Sequence, residues 1–281
     1  MEPTDPPGGA DPAALPSAGS GRRPLPRAAN HFDPIGLVWT LVRTDFKVRY
    51  HGTLGGFIWA LLKPLTMFGV LMAVFSFIFQ SDPNYSLNLI IGLFLWDFFS
   101  EGTKVGLTSL AAKGFLLTKS RLPKWILVVT SVSNPLITLL VFLVAIVSTS
   151  ALTSRLPSVW AIGLVLLYLF QLCLIVVGFS LATSALFLRY RDLNQVWEVL
   201  LQAGFFVAPV VYPLSILPER VHFAIYCWPP TAVIQFVRSV LVLGVVPSLR
   251  AHAMLAAATV ASLLVGSLLF RRFAPRSVEY L

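Results

Sequence analysis

Between residues 54 and 270 the chain runs apolar for about 20 residues at a time, broken by short basic or proline-marked turns. A bilayer core about 30 Å thick is crossed by roughly 20 apolar residues in a helix. Ile126 to Ala151 has that length without a charge, and Val159 to Leu188 exceeds it. Six spans are predicted, at about 54–79, 86–109, 125–151, 157–187, 194–212 and 251–270. The pattern changes at two places. Ahead of the first span, Asp33-Pro34 reads as an N-cap followed by proline at the first helical position. From there Ile35, Val38, Trp39, Val42 and Phe46 recur at helical spacing, while Arg43, Thr44 and Lys47 take other faces. This predicts an amphipathic helix in the headgroup plane; a simple juxtamembrane anchor is the competing reading. Between spans five and six, Pro213 to Gly244 carries two apolar stretches, Val221–Trp228 and Thr231–Leu243, parted by Pro229-Pro230. Each is too short to cross. They read as a re-entrant outer hairpin, tolerable only where protein or a wet cavity satisfies its backbone. The expected fold class is an all-α polytopic membrane protein with six transmembrane helices, an N-terminal amphipathic interfacial helix and this hairpin.

Composition agrees: 57% of residues are hydrophobic and 12% charged, with mean hydropathy +0.80. A soluble domain cannot bury so much apolar surface, and 281 residues leave no room for a second catalytic domain beside the bundle. Residues 1–32, rich in Pro, Gly and Ala, read as a disordered N-terminal tail, which leaves 33–281 as the transmembrane permease domain. The N-terminus lacks the apolar region of a cleavable signal peptide. A net charge of +9 would suggest nucleic acid in a soluble chain. Here the Lys and Arg residues sit beside apolar spans, where they act as topogenic signals and meet membrane lipids, so no nucleic-acid partner is expected. Arg22, Arg23, Arg27, Arg43, Lys47, Arg49, Lys113, Lys119, Arg121, Lys124, Arg189, Arg191, Arg271, Arg272 and Arg276 fall on one side, against Arg155, Arg220, Arg238 and Arg250 on the other. Both termini are therefore expected in the cytoplasm, with the chain in the inner (plasma) membrane. Trp59, Trp125 and Trp197 fall at inner ends of spans, Trp160 and Trp228 near the outer face. Cys173 lies in a span and Cys227 in a loop, so no disulfide is expected between them.

No run matches a Gly-rich phosphate loop, and His31, His51, His222 and His252 are scattered, so neither catalysis nor a metal is expected. Charges within spans carry more information. Asp97, Glu101 and Lys104 share one helical face, either as a conduit wall or inter-subunit contact, or as a Glu101–Lys104 pair near the inner interface. Glu198 is expected at the interface near Arg189 or Arg191, with a conduit role as the alternative. The segment Lys113 to Pro123 sets Phe115, Leu116 and Leu117 among Lys113, Lys119 and Arg121. An apolar centre in a cytoplasmic loop suits docking into a groove on a soluble partner, with headgroup anchoring as the alternative. Phe68, Phe75, Trp96, Phe98, Phe99 and Phe205 are candidates to line a conduit and stack on sugar faces, against ordinary packing.

Three groups of residues carry a family resemblance. The first is Arg43-Thr44-Asp45-Phe46-Lys47-Val48-Arg49-Tyr50, followed by Thr53-Leu54-Gly55, Trp59 and Pro64. The second is Arg191-Asp192-Leu193 with Gln195, Phe206, Pro209 and Tyr212; the third is Pro230 followed by Arg238. Together they resemble the type-2 ABC exporter permeases that move lipid-linked polysaccharides such as O-antigen, teichoic acid and mycobacterial galactan. The chain departs from that pattern at Pro229, where the family has Asn, and at Asp97, where a neutral polar residue is expected. The resemblance implies a homodimer of half-channels, each docked on a separate cytoplasmic ATPase subunit that holds ATP and Mg, with no cofactor on this chain. It makes Lys113–Pro123 the coupling loop and Arg191-Asp192 part of a second cytoplasmic loop. Arg43, Lys47, Arg49 and Tyr50 become the entry site for a polyprenyl-pyrophosphate-linked polysaccharide, through charge pairing with phosphate oxygens; binding of bulk anionic lipid is the alternative. The rival functions are a type-2 exporter of a small molecule or drug, an intramembrane prenyl-phosphate transferase, and a secondary transporter. The transferase would need clustered acids where the inner loops offer only Asp192, and the transporter would need repeats and more broken helices than Pro209 alone suggests.

Overall fold

An apolar run in hydrocarbon can satisfy its backbone polar groups within itself only as a helix, and every regular element of the described chain is one. The computed structural model describes residues 34–50, 55–79, 82–119, 122–152 and 158–275. In chain order the helices are α1 (Pro34–Tyr50), α2 (Ile58–Phe75), α3 (Tyr85–Ala112), α4 (Gly114–Lys119), α5 (Lys124–Ser131) and α6 (Ser133–Leu152). Then follow α7 (Val159–Phe187), α8 (Leu193–Val207), α9 (Glu219–Tyr226), α10 (Pro229–Arg238) and α11 (Leu249–Phe273). The expected tail, 1–32, lies outside the described residues.

Local chemistry sets the boundaries. Ser158 caps α7 by accepting from the Ala161 amide at 3.2 Å, and Ser248 caps α11 from Ala251 at 3.3 Å. Pro135 has no amide to give the Ser131 carbonyl, and the third apolar run breaks at Val132 into α5 and α6. Pro229-Pro230 likewise separates α9 from α10, and the two segments bend by 112°. One wide π turn, Ser239–Leu243, extends α10 until Gly244 stops it at φ +66°, a conformation that glycine adopts without strain.

Helices α3 and α7 pack against each other at the centre, with α11 along α7 and α10 against both. Gly178 and Gly266 allow the α7–α11 approach: a Cβ on Gly178 would stand 2.6 Å from the Ser262 carbonyl oxygen. The Ser262 hydroxyl donates to the Ile175 carbonyl at 3.1 Å across the same crossing. Phe94 stacks on Phe142 with centroids 3.7 Å apart, tying α3 to α6. Tyr168, fully buried, hydrogen-bonds His252 at 2.7 Å between α7 and α11.

Among the described residues, four segments are long and apolar enough to cross a membrane: α2, Lys124–Val144, α7 and α11. The bent pair of α9 with Pro229–Leu243 makes a fifth if it counts as one broken span. Helix α3 has 28 residues, about 42 Å of rise, but Asp97, Glu101 and Lys104 dilute its apolar character. Helix α8, with 15 residues, spans only about 22 Å. In α2 only Pro64 is fully buried; Leu61, Phe68, Leu71, Met72 and Phe75 pack partly on the core, and the opposite face, with Leu62, Val70 and Val74, is exposed. Trp59, Trp125 and Trp160 are exposed, as belt residues should be, but Trp197 is not. Its indole donates to the Thr103 hydroxyl at 3.0 Å inside the bundle, and an indole so satisfied has no need of the interface. Trp228 packs inward on Phe99 and Trp197 as well. Cys173 and Cys227 are both free.

Candidate functional site

Helical spacing gives α1 two distinct rows. Leu41, Asp45 and Arg49 form one, and it is fastened to the bundle. Leu41 packs on the cluster of Leu110, Leu127, Val128, Leu181 and Leu188. Asp45 accepts from the Lys113 ammonium at 2.5 Å, and Lys113 also donates to the Leu127 carbonyl at 3.3 Å and the Thr130 hydroxyl at 3.1 Å. Arg49 forms an ion pair with Glu101. Glu101 is therefore engaged by α1, where the sequence had offered Lys104 as its partner. Burial opposes the Arg49 charge, but the hydrogen bond and field of Glu101, helped by Tyr50 and Asp97, outweigh it and hold the pKa above the ordinary arginine value. Tyr50 joins an aromatic group with Phe46 and Phe57, at centroid distances of 4.8 and 5.3 Å. The other row is Ile35, Trp39, Arg43 and Lys47, all exposed, with Ile35 at 80% and Trp39 at 67%. Arg43 and Lys47 have no ion-pair partner among the described residues. Ile35 and Trp39 thus share their row with Arg43 and Lys47, where the sequence pattern had set them on different faces.

Beside this clasp lies a cleft of about 600 Å³ between α2, α3 and α8. Trp59, Lys63, Thr66, Trp96, Asp97 and Phe205 line it. Trp96 meets Phe205 edge-on at 5.8 Å. The charges acting on Asp97 are Lys63, Glu101, Arg49 and Lys104, so the cleft and the α1 clasp share one electrostatic field. Of the aromatic candidates, Trp96 and Phe205 reach the cleft. Phe98 and Phe99 are 2% and 3% exposed and stand in the core, while Phe68 and Phe75 are partly buried against it. Sequence reasoning passed over Lys63, whose signal was a lone charge just before Pro64 inside a span.

The Lys113–Pro123 segment divides by role. Lys113 is a staple with a side chain 12% exposed, whereas Phe115 on α4 is 67% exposed. Leu116 and Leu117 pack on the Leu110 cluster. Lys119 ends α4, Pro123 leads into α5 in extended backbone, and Arg121 lies outside the described residues. Arg191 and Asp192 are exposed in the turn between α7 and α8, next to Arg189, whose guanidinium lies over Tyr190 at 5.2 Å. Glu198 accepts from the Asn194 amide at 3.4 Å; among the described residues it has no ion pair with either arginine.

At the Tyr85 end of α3 the chemistry differs. Arg238 is 7% exposed and donates to three backbone carbonyls, Asn88 at 2.9 Å, Pro209 at 2.6 Å and Val210 at 2.7 Å. The Tyr85 hydroxyl donates to the Val211 carbonyl at 2.9 Å. The non-helical backbone after α8 is thereby bound to α3. A chamber of about 170 Å³, lined in part by Asp82, Asn88 and Gln235, adjoins it. Gln235 Nε2, on its lining, is buried without a hydrogen-bond partner among the described residues, as are Trp228 Nε1 and Thr231 Oγ1 elsewhere in the α9–α10 segment.

Tandem apolar helices around a polar-studded central helix define a multi-pass membrane protein. The chain belongs to the ABC-2 type transporter family, whose profile matches residues 36–242, from α1 to the turn after α10. It is 30% identical over 190 residues to the O-antigen export system permease protein RfbA of Myxococcus xanthus, covering 66% of this chain and 71% of that protein. It is 26% identical over 211 residues to a Klebsiella pneumoniae protein of the same name, covering 74% and 81% respectively. The resemblance to type-2 ABC exporter permeases drawn from the α1 motif is thus correct at the level of family.

Proposed function

We propose that this chain is the transmembrane subunit of an ATP-driven exporter that moves a polyprenyl-pyrophosphate-linked polysaccharide from the cytoplasm across the inner membrane. The O-antigen export permeases among its relatives support the substrate class. The carrying observation is the two-faced α1, with one row bound to α3 and α5 and the other presenting Arg43 and Lys47 beside exposed Ile35 and Trp39. That arrangement suits a helix lying at the headgroup level and receiving a pyrophosphate. The spans are α2, α3, α5 with α6, α7, α8 and α11, and the α9–α10 pair is re-entrant on the outer side. Both termini face the cytoplasm, as the Lys/Arg asymmetry requires.

The half-channels pair as a homodimer, which covers the exposed face of α2 and closes the α2–α3–α8 cleft into a conduit. Trp59, Trp96 and Phe205 offer faces for sugars, with Asp97, Glu101 and Lys104 giving polar character to that side of α3. ATP and Mg bind a separate cytoplasmic subunit, present in two copies. Its groove receives Phe115, and the push travels from Lys113 into α1 through the Asp45 bond and into α5 through Thr130. The coupling loop and the substrate-receiving helix are thus one mechanical unit. A second reading, export of a small amphiphile, draws on the cleft volume, about 600 Å³, which falls in the size range of small-ligand sites. Native mass spectrometry on the complex extracted gently from its own membranes tests the assembly. Two copies of this chain with two of a nucleotide-binding polypeptide are expected. A chain active without any ATPase would overturn the proposal.

A further inference from the structure

We infer that the groove between α5, α7 and α11, at the end of the bundle carrying the Lys113–Pro123 segment, holds the headgroup of an anionic glycerophospholipid. The groove measures about 540 Å³ and shares no lining residue with the α2–α3–α8 cleft. Among the described residues its lining includes two cations, Lys124 and Arg271, and no acidic side chain. Arg272 adds a third positive charge in the same last turn of α11. The Lys124 ammonium donates to the Ala274 carbonyl at 2.5 Å, capping the C-terminal end of α11. Carbonyls at that end carry partial negative charge, which would repel a phosphate. Lys124 offsets it, leaving the field of Arg271 and Arg272 to attract one.

An amphiphile fits the groove better than a free anion. Beneath the cations the lining is apolar, from Leu181 and Phe270, and Trp125, 48% exposed, supplies the indole typical of the interface. The neighbouring outer surface of α11 is apolar, with Leu264, Val265 and Leu268 more than half exposed, at 58%, 54% and 65%. An occupant therefore arrives from the bilayer with its chains along α11 and its phosphate at the Lys124–Arg271 level. Basic pockets between spans on the cytoplasmic side bind acidic headgroups on the same principle. The bound lipid bridges α5, which follows the proposed coupling loop, to the last turn of α11. This inference stands whether or not the exported cargo is a glycan.

The test is native mass spectrometry on the full chain with whatever co-purifies, supplied in turn with phosphatidylglycerol, phosphatidylcholine and a polyprenyl phosphate. The wild type should retain phosphatidylglycerol selectively. Arg271→Gln should lower that retention about fivefold, the effect of one basic residue at a charged interface. Ser267→Phe keeps every charge but fills the groove, and should lower retention at least as far; it decides the matter if Arg271→Gln cannot be purified. Equal retention of phosphatidylcholine, preference for the polyprenyl phosphate, or indifference to both variants would overturn the inference. So would a gain in retention when the chain is shortened after Pro275, since its own last residues would then be the occupant.

Discussion

The two ends of α3 handle positive charge in opposite ways. At the Tyr85 end Arg238 is buried, and its partners are all backbone carbonyls. At the Ala112 end Arg49 pairs with Glu101 and Lys113 with Asp45, Lys124 caps α11, and Arg43 and Lys47 face outward with no ion-pair partner among the described residues. A buried guanidinium satisfied by carbonyls holds irregular backbone in place where water cannot. An outward basic row has no such task in the fold, so its charge is available to a ligand. On the proposed function, architecture and recognition thus fall to residues of one type, separated by what each touches.

The comparison can be broken most severely at Arg238. Arg238→Leu leaves the buried Pro209 and Val210 carbonyls without this donor and removes the part-buried contact to Asn88, at a cost of roughly 1–3 kcal/mol for each buried carbonyl. The purified chain should show the largest fall in melting midpoint of any variant considered; an unshifted midpoint would mean the carbonyls find other partners. Gly178→Val forces a side chain into the Ser262 backbone and should cost about 1–3 kcal/mol through overpacking, read as a lower midpoint. Lys113→Ala removes a part-buried ammonium with three acceptors, expected to cost about 1–3 kcal/mol. It should also leave the partner's ATP hydrolysis running while export drops. Hydrolysis and export falling together would deny Lys113 its transmitting role. Glu101→Leu breaks a pair whose side chains are 36% and 28% exposed, so stability should change by only about 0.2–1 kcal/mol. Unchanged transport and assembly in that variant would remove Glu101 from the conduit. Smallest in stability is Arg43→Ala combined with Lys47→Ala, within about 0.5 kcal/mol, yet it should weaken binding of a polyprenyl-pyrophosphate glycan about 25-fold, two basic residues' worth. A normal affinity would assign the row to bulk lipid.

Much of the fold was legible because spans, caps and breaks are local. The start of α1 at Pro34, the break at Pro229-Pro230 and the long apolar α7 each follow from a few adjacent residues. The α1 motif was legible too, since Arg43 and Lys47 at helical spacing stay on one face. Partners were not. Lys113 reads as a loop cation until it meets Asp45, 68 residues earlier. Arg238 counts as one more outer-side charge until the carbonyls of Asn88, 150 residues away, and Pro209 accept hydrogen bonds from it. Trp197 looks like a belt residue until Thr103 accepts its indole N–H. Hydropathy reports whether a residue type tolerates lipid, and it is blind to hydrogen bonds closed across the bundle. For the same reason Phe98 and Phe99 were indistinguishable in sequence from Trp96, although only Trp96 lines the cleft.

The central claim is that a lipid-linked polysaccharide crosses the membrane through this chain. Depleting the chain in its own cell while tracing polyprenyl-pyrophosphate-linked polymer on each side of the membrane tests it most directly. The polymer should accumulate on the cytoplasmic face and fade from the surface, and re-expressed wild type, but not the Arg43→Ala, Lys47→Ala variant, should reverse both. Undiminished polymer at the surface of depleted cells would contradict the account and leave the small-amphiphile exporter as the reading to pursue.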